Sequence, residues 1–145
     1  MKFNKISPNN NISEFVKDIV LFEEDVSTSK TVLPFFADGL PGLVFHNTPE
    51  GQWAQPQNKK MPVSYIYGQT IQPMELHMEG TYQMIVFQLY PFVLSRFFPL
   101  NPKEIKDACF DLTQLDHWSQ VIHKLHDSND SSLQIEVIQE FLYNR

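Results

Sequence analysis

The chain has 145 residues, enough for one domain that buries most of its apolar surface without staples, and 42% hydrophobic with 13% aromatic content describes an ordinary globule. A formal net charge of -6 excludes the basic footprint that a nucleic-acid-binding surface would need. The lone cysteine, Cys109, excludes an internal disulfide and points to a reducing compartment.

The amino terminus, MKFNKISPNNN, carries lysines with no apolar run behind them, so no secretory signal is expected. The longest apolar stretch, residues 84–94, is broken by Gln88 and Pro91 and falls well short of the roughly 20 residues that span a bilayer. A soluble, cytoplasmic protein with no membrane partner is the expectation.

After this polar start, Asn11 introduces a single helical turn, and Ile19-Val-Leu-Phe22 is short, β-branched and apolar enough for a strand. Residues 31–47, TVLPFFADGLPGLVFHN, hold two apolar runs joined by Asp38-Gly39, a pair that tolerates positive φ and so predicts a hairpin of strands 31–36 and 43–47. Pro34 cannot donate to a ladder and must sit at an edge or a bulge. Such a hairpin would form the rim of a small barrel, where ligands enter. Residues 48–61, TPEGQWAQPQNKKM, show neither helical nor strand period and read as a long loop, with Trp53 as a plug against the barrel or a lid over a ligand.

Alternation returns at residues 62–68, where Tyr65 and Tyr67 share a face, and at 71–79, where Met74, Leu76 and Met78 oppose Glu75, His77 and Glu79. After a turn at Gly80-Thr81, residues 82–90 (YQMIVFQLY) are apolar on both faces, as in a central strand. At Pro91 the period becomes helical: Val93 and Phe97 with Leu94 and Phe98, stopped by Pro99. Asn101-Pro-Lys-Glu104 and Thr113-Gln-Leu-Asp116 both read as helix starts, the second before a stripe of Trp118, Val121, Ile122 and Leu125. SNDSS at 128–132 is a flexible break before a last helix carrying Leu133, Val137 and Phe141. Six strands followed by four helices define an α+β fold, an antiparallel β-sandwich or barrel over residues 1–90 and a helical region over 91–145, together one domain.

No reactive centre emerges. A cupin-type metal site takes two histidines one residue apart plus further ligands; Leu76-His77-Met78-Glu79 offers one histidine, and adding His46 makes only two ligands, so no metal is expected. His117, His123 and His126 fit a solvated helix surface. Cys109 has no adjacent base and reads as a buried apolar side chain, no nucleophile elbow or phosphate loop is present, and no cofactor or catalytic residue is assigned. The Tyr, Phe, Met and Gln content suits a small ligand held by apolar walls, with Tyr65, Tyr67, Gln69, Tyr82 and Met84 as candidate contacts beside Phe36 and Phe45 from the rim; each also fits a plain core.

The order Phe15-Val16, Ile19-Val-Leu-Phe22, Leu33-Pro34 with Asp38-Gly39, Pro41 and Leu43-Val-Phe45, then Tyr67-Gly68-Gln69, Met84-Ile-Val-Phe87, Pro91 and Phe97 resembles the N-terminal regulatory domain of AraC-type bacterial transcriptional regulators. The resemblance covers nearly the whole chain and is most specific from Pro34 to Phe45. It implies a cupin-like antiparallel β-barrel followed by C-terminal helices, which senses a small-molecule effector or mediates homodimer contacts. It also implies that Trp118, Val121, Ile122 and Leu125 are candidates for the dimer surface. In that family DNA is bound by a separate C-terminal helix-turn-helix domain; this sequence ends at Arg145, so DNA binding is not expected of these residues. Two rival expectations are a small cupin-fold enzyme, an isomerase or metal-dependent oxygenase, and a purely structural dimerisation module.

Overall fold

The computed structural model describes residues 2–35, 40–56, 58–68, 74–98, 109–115 and 117–144. The strands are β1 (Lys2–Ile6), β2 (Val16–Glu24), β3 (Lys30–Phe35), β4 (Gly42–Asn47), β5 (Gln52–Gln55), β6 (Lys59–Lys60), β7 (Ser64–Tyr67), β8 (Met74–Glu79), β9 (Tyr82–Leu89) and β10 (Cys109–Asp111); the α-helices are α1 (Phe92–Phe97), α2 (Trp118–His126) and α3 (Ser131–Tyr143). All described strand pairs are antiparallel. They form a six-stranded sheet in the order β1-β2-β9-β4-β7-β10 and a four-stranded sheet in the order β3-β8-β5-β6. The α+β class therefore holds, but the division at residue 90 does not: α1 precedes β10, so one strand of the six-stranded sheet lies within residues 91–145, and only α2 and α3 follow the sheets.

The two-residue period of a strand sorts the apolar residues into two cores. Tyr82, Met84 and Val86 of β9 face the four-stranded sheet, where they join Leu33, Leu76 and Met78; Ile85, Phe87 and Leu89 face the helices and meet Val93, Trp118, Leu125 and Ile138. A strand sandwiched this way must be apolar on both faces, which is why β9 reads as central and lies between β2 and β4. Met74, Leu76 and Met78 are buried while Glu75 and Glu79 are exposed, so β8 has the single wet face that its alternation predicts.

The 31–47 segment behaves differently from the expected hairpin. β3 pairs with β8 in one sheet, whereas β4 pairs with β7 and β9 in the other, so the two runs are not partners; Asp38-Gly39 itself lies outside the described residues. Pro34 does occupy an edge strand, since β3 ends its sheet. From β2 to β9 every link except β5 to β6 passes from one sheet to the other. Among the described residues no strand pair joins the two sheets, so they form a sandwich with no closed barrel.

Residues 48–61 are not a plain loop, because β5 and β6 lie within them. Trp53 pairs with His77 and Lys60 and is 36% exposed on the outer face of the four-stranded sheet, so it neither plugs nor covers the interior. β1 and β10 were also illegible as strands, being edge strands of polar or three-residue composition. The helix expected at 101–104 lies outside the described residues. SNDSS holds a built cap: the Asp130 carboxylate accepts from the Ser132 N–H at 2.9 Å, and Ser128 Oγ accepts from the Asp130 N–H at 3.0 Å. Among the described residues no helix is long and apolar enough to cross a membrane.

Candidate functional site

A cavity of about 320 Å³ lies between the sheets. Its floor is the inward face of the six-stranded sheet, Val20 and Phe22 from β2, Val44 from β4, Met84 and Val86 from β9. Leu33, Pro34 and Leu76 from β3 and β8 close it from the other side. The polar groups are confined to Gln88, Tyr67 and Lys5, with Phe3 of β1 beside them; the Phe3 ring lies 5.4 Å from that of Phe22. Apolar walls with a few polar groups at one end are the usual make-up of a small-molecule site.

Strand register explains that division. Gln88 of β9 is opposite Gly42 of β4, and Gly42 is opposite Tyr67 of β7, so one rank across three strands carries Gln88 and Tyr67. The next inward rank is Lys5, Val20, Val86 and Val44, and beyond it come Phe3, Phe22 and Met84. Gly42 makes room for the phenol: a Cβ there would stand 2.5 Å from Tyr67 Cζ and Oη. Only glycine lets the ring lie across the β4 backbone.

Deeper in the same layer, a buried polar network pins the sheets together. The Tyr65 hydroxyl donates to Gln52 Oε1 at 2.7 Å, and Gln52 Nε2 points at the sulfurs of Met84 (3.1 Å) and Met78 (3.4 Å). Burial pushes the Tyr65 phenol well above its ordinary pKa, so it serves as a donor and not as a phenolate. The Tyr82 hydroxyl sits beside Thr31 without a well-formed hydrogen bond, and burial raises its pKa as well.

The sequence-derived ligand residues thus divide. Tyr67 and Met84 line the cavity; Tyr65 and Tyr82 belong to the same layer but lie away from the cavity wall. Phe45 faces the helices, because it is one residue out of phase with Val44, and its ring lies 5.8 Å from that of His126. Phe36 and Gln69 lie outside the described residues. Lys5, Phe3 and Gln88 were missed; the alternation of Phe3 and Lys5 along β1 was the available signal, hidden by a polar edge strand. Of the stripe expected at a dimer surface, Trp118 and Leu125 are fully buried in the chain's own core, whereas Val121 and Ile122 are half-buried.

His46 and His77 are not brought together. His77 is on the outer face of the four-stranded sheet, and among the described residues no three His, Cys, Asp or Glu side chains are placed to share a metal ion. His46 is buried, with Nε2 2.7 Å from the Pro62 carbonyl and Nδ1 2.9 Å from Thr48 Oγ1. A carbonyl only accepts, so Nε2 carries the proton and Nδ1 accepts from the threonine hydroxyl. Burial lowers the His46 pKa from its ordinary 6.5, with the Pro62 bond opposing that shift. The unfolded chain therefore takes up a proton below about pH 6.5 that the folded chain resists. Stability from this group is complete above pH 6.5 and declines as pH falls toward the folded pKa. Urea unfolding at pH 7.5 and 5.5 should show that decline in the parent protein and a smaller one in His46→Gln.

Cys109, on β10 opposite Tyr67, is half-buried, and burial pushes its thiol up to about 11, which leaves it protonated at neutral pH. A wider groove of about 660 Å³ along α2 and α3, bordered by His117, Lys124 and Glu140, mixes charge with apolar contact and lacks the apolar enclosure of the interlayer cavity.

A family model described as "Domain of unknown function (DUF6597)" matches residues 4–111. The chain belongs to this family. The DUF6597 match takes in both sheets and ends with β10, so nearly all of the cavity wall lies inside it, and α2 and α3 lie beyond it. Comparison with curated proteins and with solved structures finds no similar chain.

Proposed function

We propose that the chain is the non-catalytic effector-sensing and dimerisation module of an AraC-type bacterial transcriptional regulator. A small molecule bound between the sheets shifts the packing of the helices behind them. The observation that carries this reading is the two-sidedness of single strands: β7 sends Tyr67 into the cavity, while three residues earlier Ser64 accepts a 2.7 Å hydrogen bond from the Trp118 indole of α2. β9 and β4 do likewise, with Met84 and Val44 on one face and Phe87 and Leu43 on the other. A displacement of these strands by a ligand is felt directly by the helix layer, because close-packed cores transmit strain.

The finer fold reading is a cupin-like vessel, supported by the repeated passage of the chain between two facing sheets with a cavity between them. In this reading the protein works in the cytoplasm as a homodimer, with Val121 and Ile122 at the dimer contact and DNA bound through a separate helix-turn-helix domain outside this sequence. Methyl NMR with labelled methionine tests it against panels of small sugars, aromatics and aliphatic acids. A binder should move the Met84 methyl and the Trp118 indole N–H signals together. Binders that leave Met84 still, or that move Met84 with Trp118 unchanged, would overturn it, and a monomer in sedimentation at high concentration would remove the dimer.

A further inference from the structure

We propose that the interlayer cavity selects a small amphipathic carboxylic acid, its apolar body between the sheets and its carboxylate at the end where Lys5, Gln88 and Tyr67 meet the cavity. This inference rests on the cavity being the effector site. Lys5 is the only charged side chain among the described residues that line the cavity, and among the described residues no carboxylate pairs with it. Its strand neighbour Lys2 differs in both respects: it does not line the cavity, and its ammonium lies 3.4 Å from Asp25. On a protein of net charge -6, an unpaired cation at the mouth of an apolar cavity is a selective feature.

The polar groups are of the right kinds for such a head group. An ammonium and an amide N–H donate to a carboxylate, and a charge-assisted hydrogen bond beside low-dielectric walls outweighs a neutral one. Lys5 lies on an edge strand, lines the cavity and is exposed, which suits a side chain whose aliphatic stem covers apolar wall while its charge stays in water. Beside it, Val20, Val86, Val44, Phe22 and Leu33 offer nothing to a second polar group. A sugar, which carries hydroxyls along its whole length, would leave most of them unbonded. The volume is near the lower end of the range of about 300–1,000 Å³ for small-molecule sites, so the acid is short.

Titration calorimetry of octanoate against octanamide, with Met84 methyl NMR to locate binding, tests this. Octanoate should bind at least about tenfold more tightly, and Lys5→Met should erase that preference while leaving the folded spectrum unchanged. Lys2→Met should keep the preference. Equal affinities for acid and amide at Met84, or a preference that survives Lys5→Met, would overturn the acid assignment and leave the effector cavity standing. Failure of both probes to perturb Met84 would count against the acid and the cavity alike.

Discussion

Replacing Trp118 with alanine should destabilise the fold by about 3–5 kcal/mol, the usual range for removing a large buried aromatic. The indole has no exposed surface, its N–H is bonded to Ser64 Oγ across the helix-sheet interface, and its ring meets Phe141 of α3 edge-on with centroids 5.1 Å apart. It therefore joins β7, α2 and α3 at once. α2 has nine residues, a length at which an isolated helix is marginal in water, so its order depends on this anchor. Against a typical total of about 5–15 kcal/mol, the loss removes a large share of stability. Urea unfolding followed by far-ultraviolet circular dichroism measures it. Ser64→Ala keeps the ring and orphans only the N–H, so a smaller loss of roughly 1–3 kcal/mol is expected there. A Trp118→Ala loss no larger than that of Ser64→Ala would show that the helices hold to the sheet by other contacts.

Gln52→Leu should cost roughly 1–3 kcal/mol, since it keeps the bulk but strands the buried Tyr65 hydroxyl. The amide's other contacts go to the sulfurs of Met78 and Met84, which are weak acceptors and lose little. The double variant Gln52→Leu with Tyr65→Phe removes both members of the bonded pair and should recover most of the loss, because an apolar pair of similar shape has no unmet hydrogen bond. Equilibrium unfolding of the four proteins completes the cycle. Losses that simply add would mean that the 2.7 Å bond contributes nothing specific to joining the sheets.

Six of the strands and three of the helices were legible because a strand or helix that buries one face must write that face into its sequence at a fixed period. β8 shows it plainly in Met74, Leu76 and Met78, and β9 in its unbroken apolar run. β1, β6 and β10 were not legible, since edge strands that are polar or only two or three residues long bury little; β5, inside its sheet, was hidden because its four residues begin and end with glutamine and one of those, Gln52, is a buried polar side chain. Asp38-Gly39 drew attention to a hairpin because turn chemistry is local, whereas the choice of partner is not. β3 pairs with β8 in one sheet, and β4 pairs with β7 and β9 in the other.

By itself the sequence determined the α+β class, the strands that form the middle of the molecule, and an acidic chain with one cysteine, all of which follow from residue type and period. Only the tertiary structure decided which face of each strand looks into the cavity and which supports the helices. Phe45 and Val44 are equally apolar neighbours, and the pleat sends them to opposite cores. It also decided that Lys5, eighty-odd positions from Gln88, shares a cavity mouth with it, because register across β1, β2 and β9 is set by the summed burial of whole strands and by no local signal.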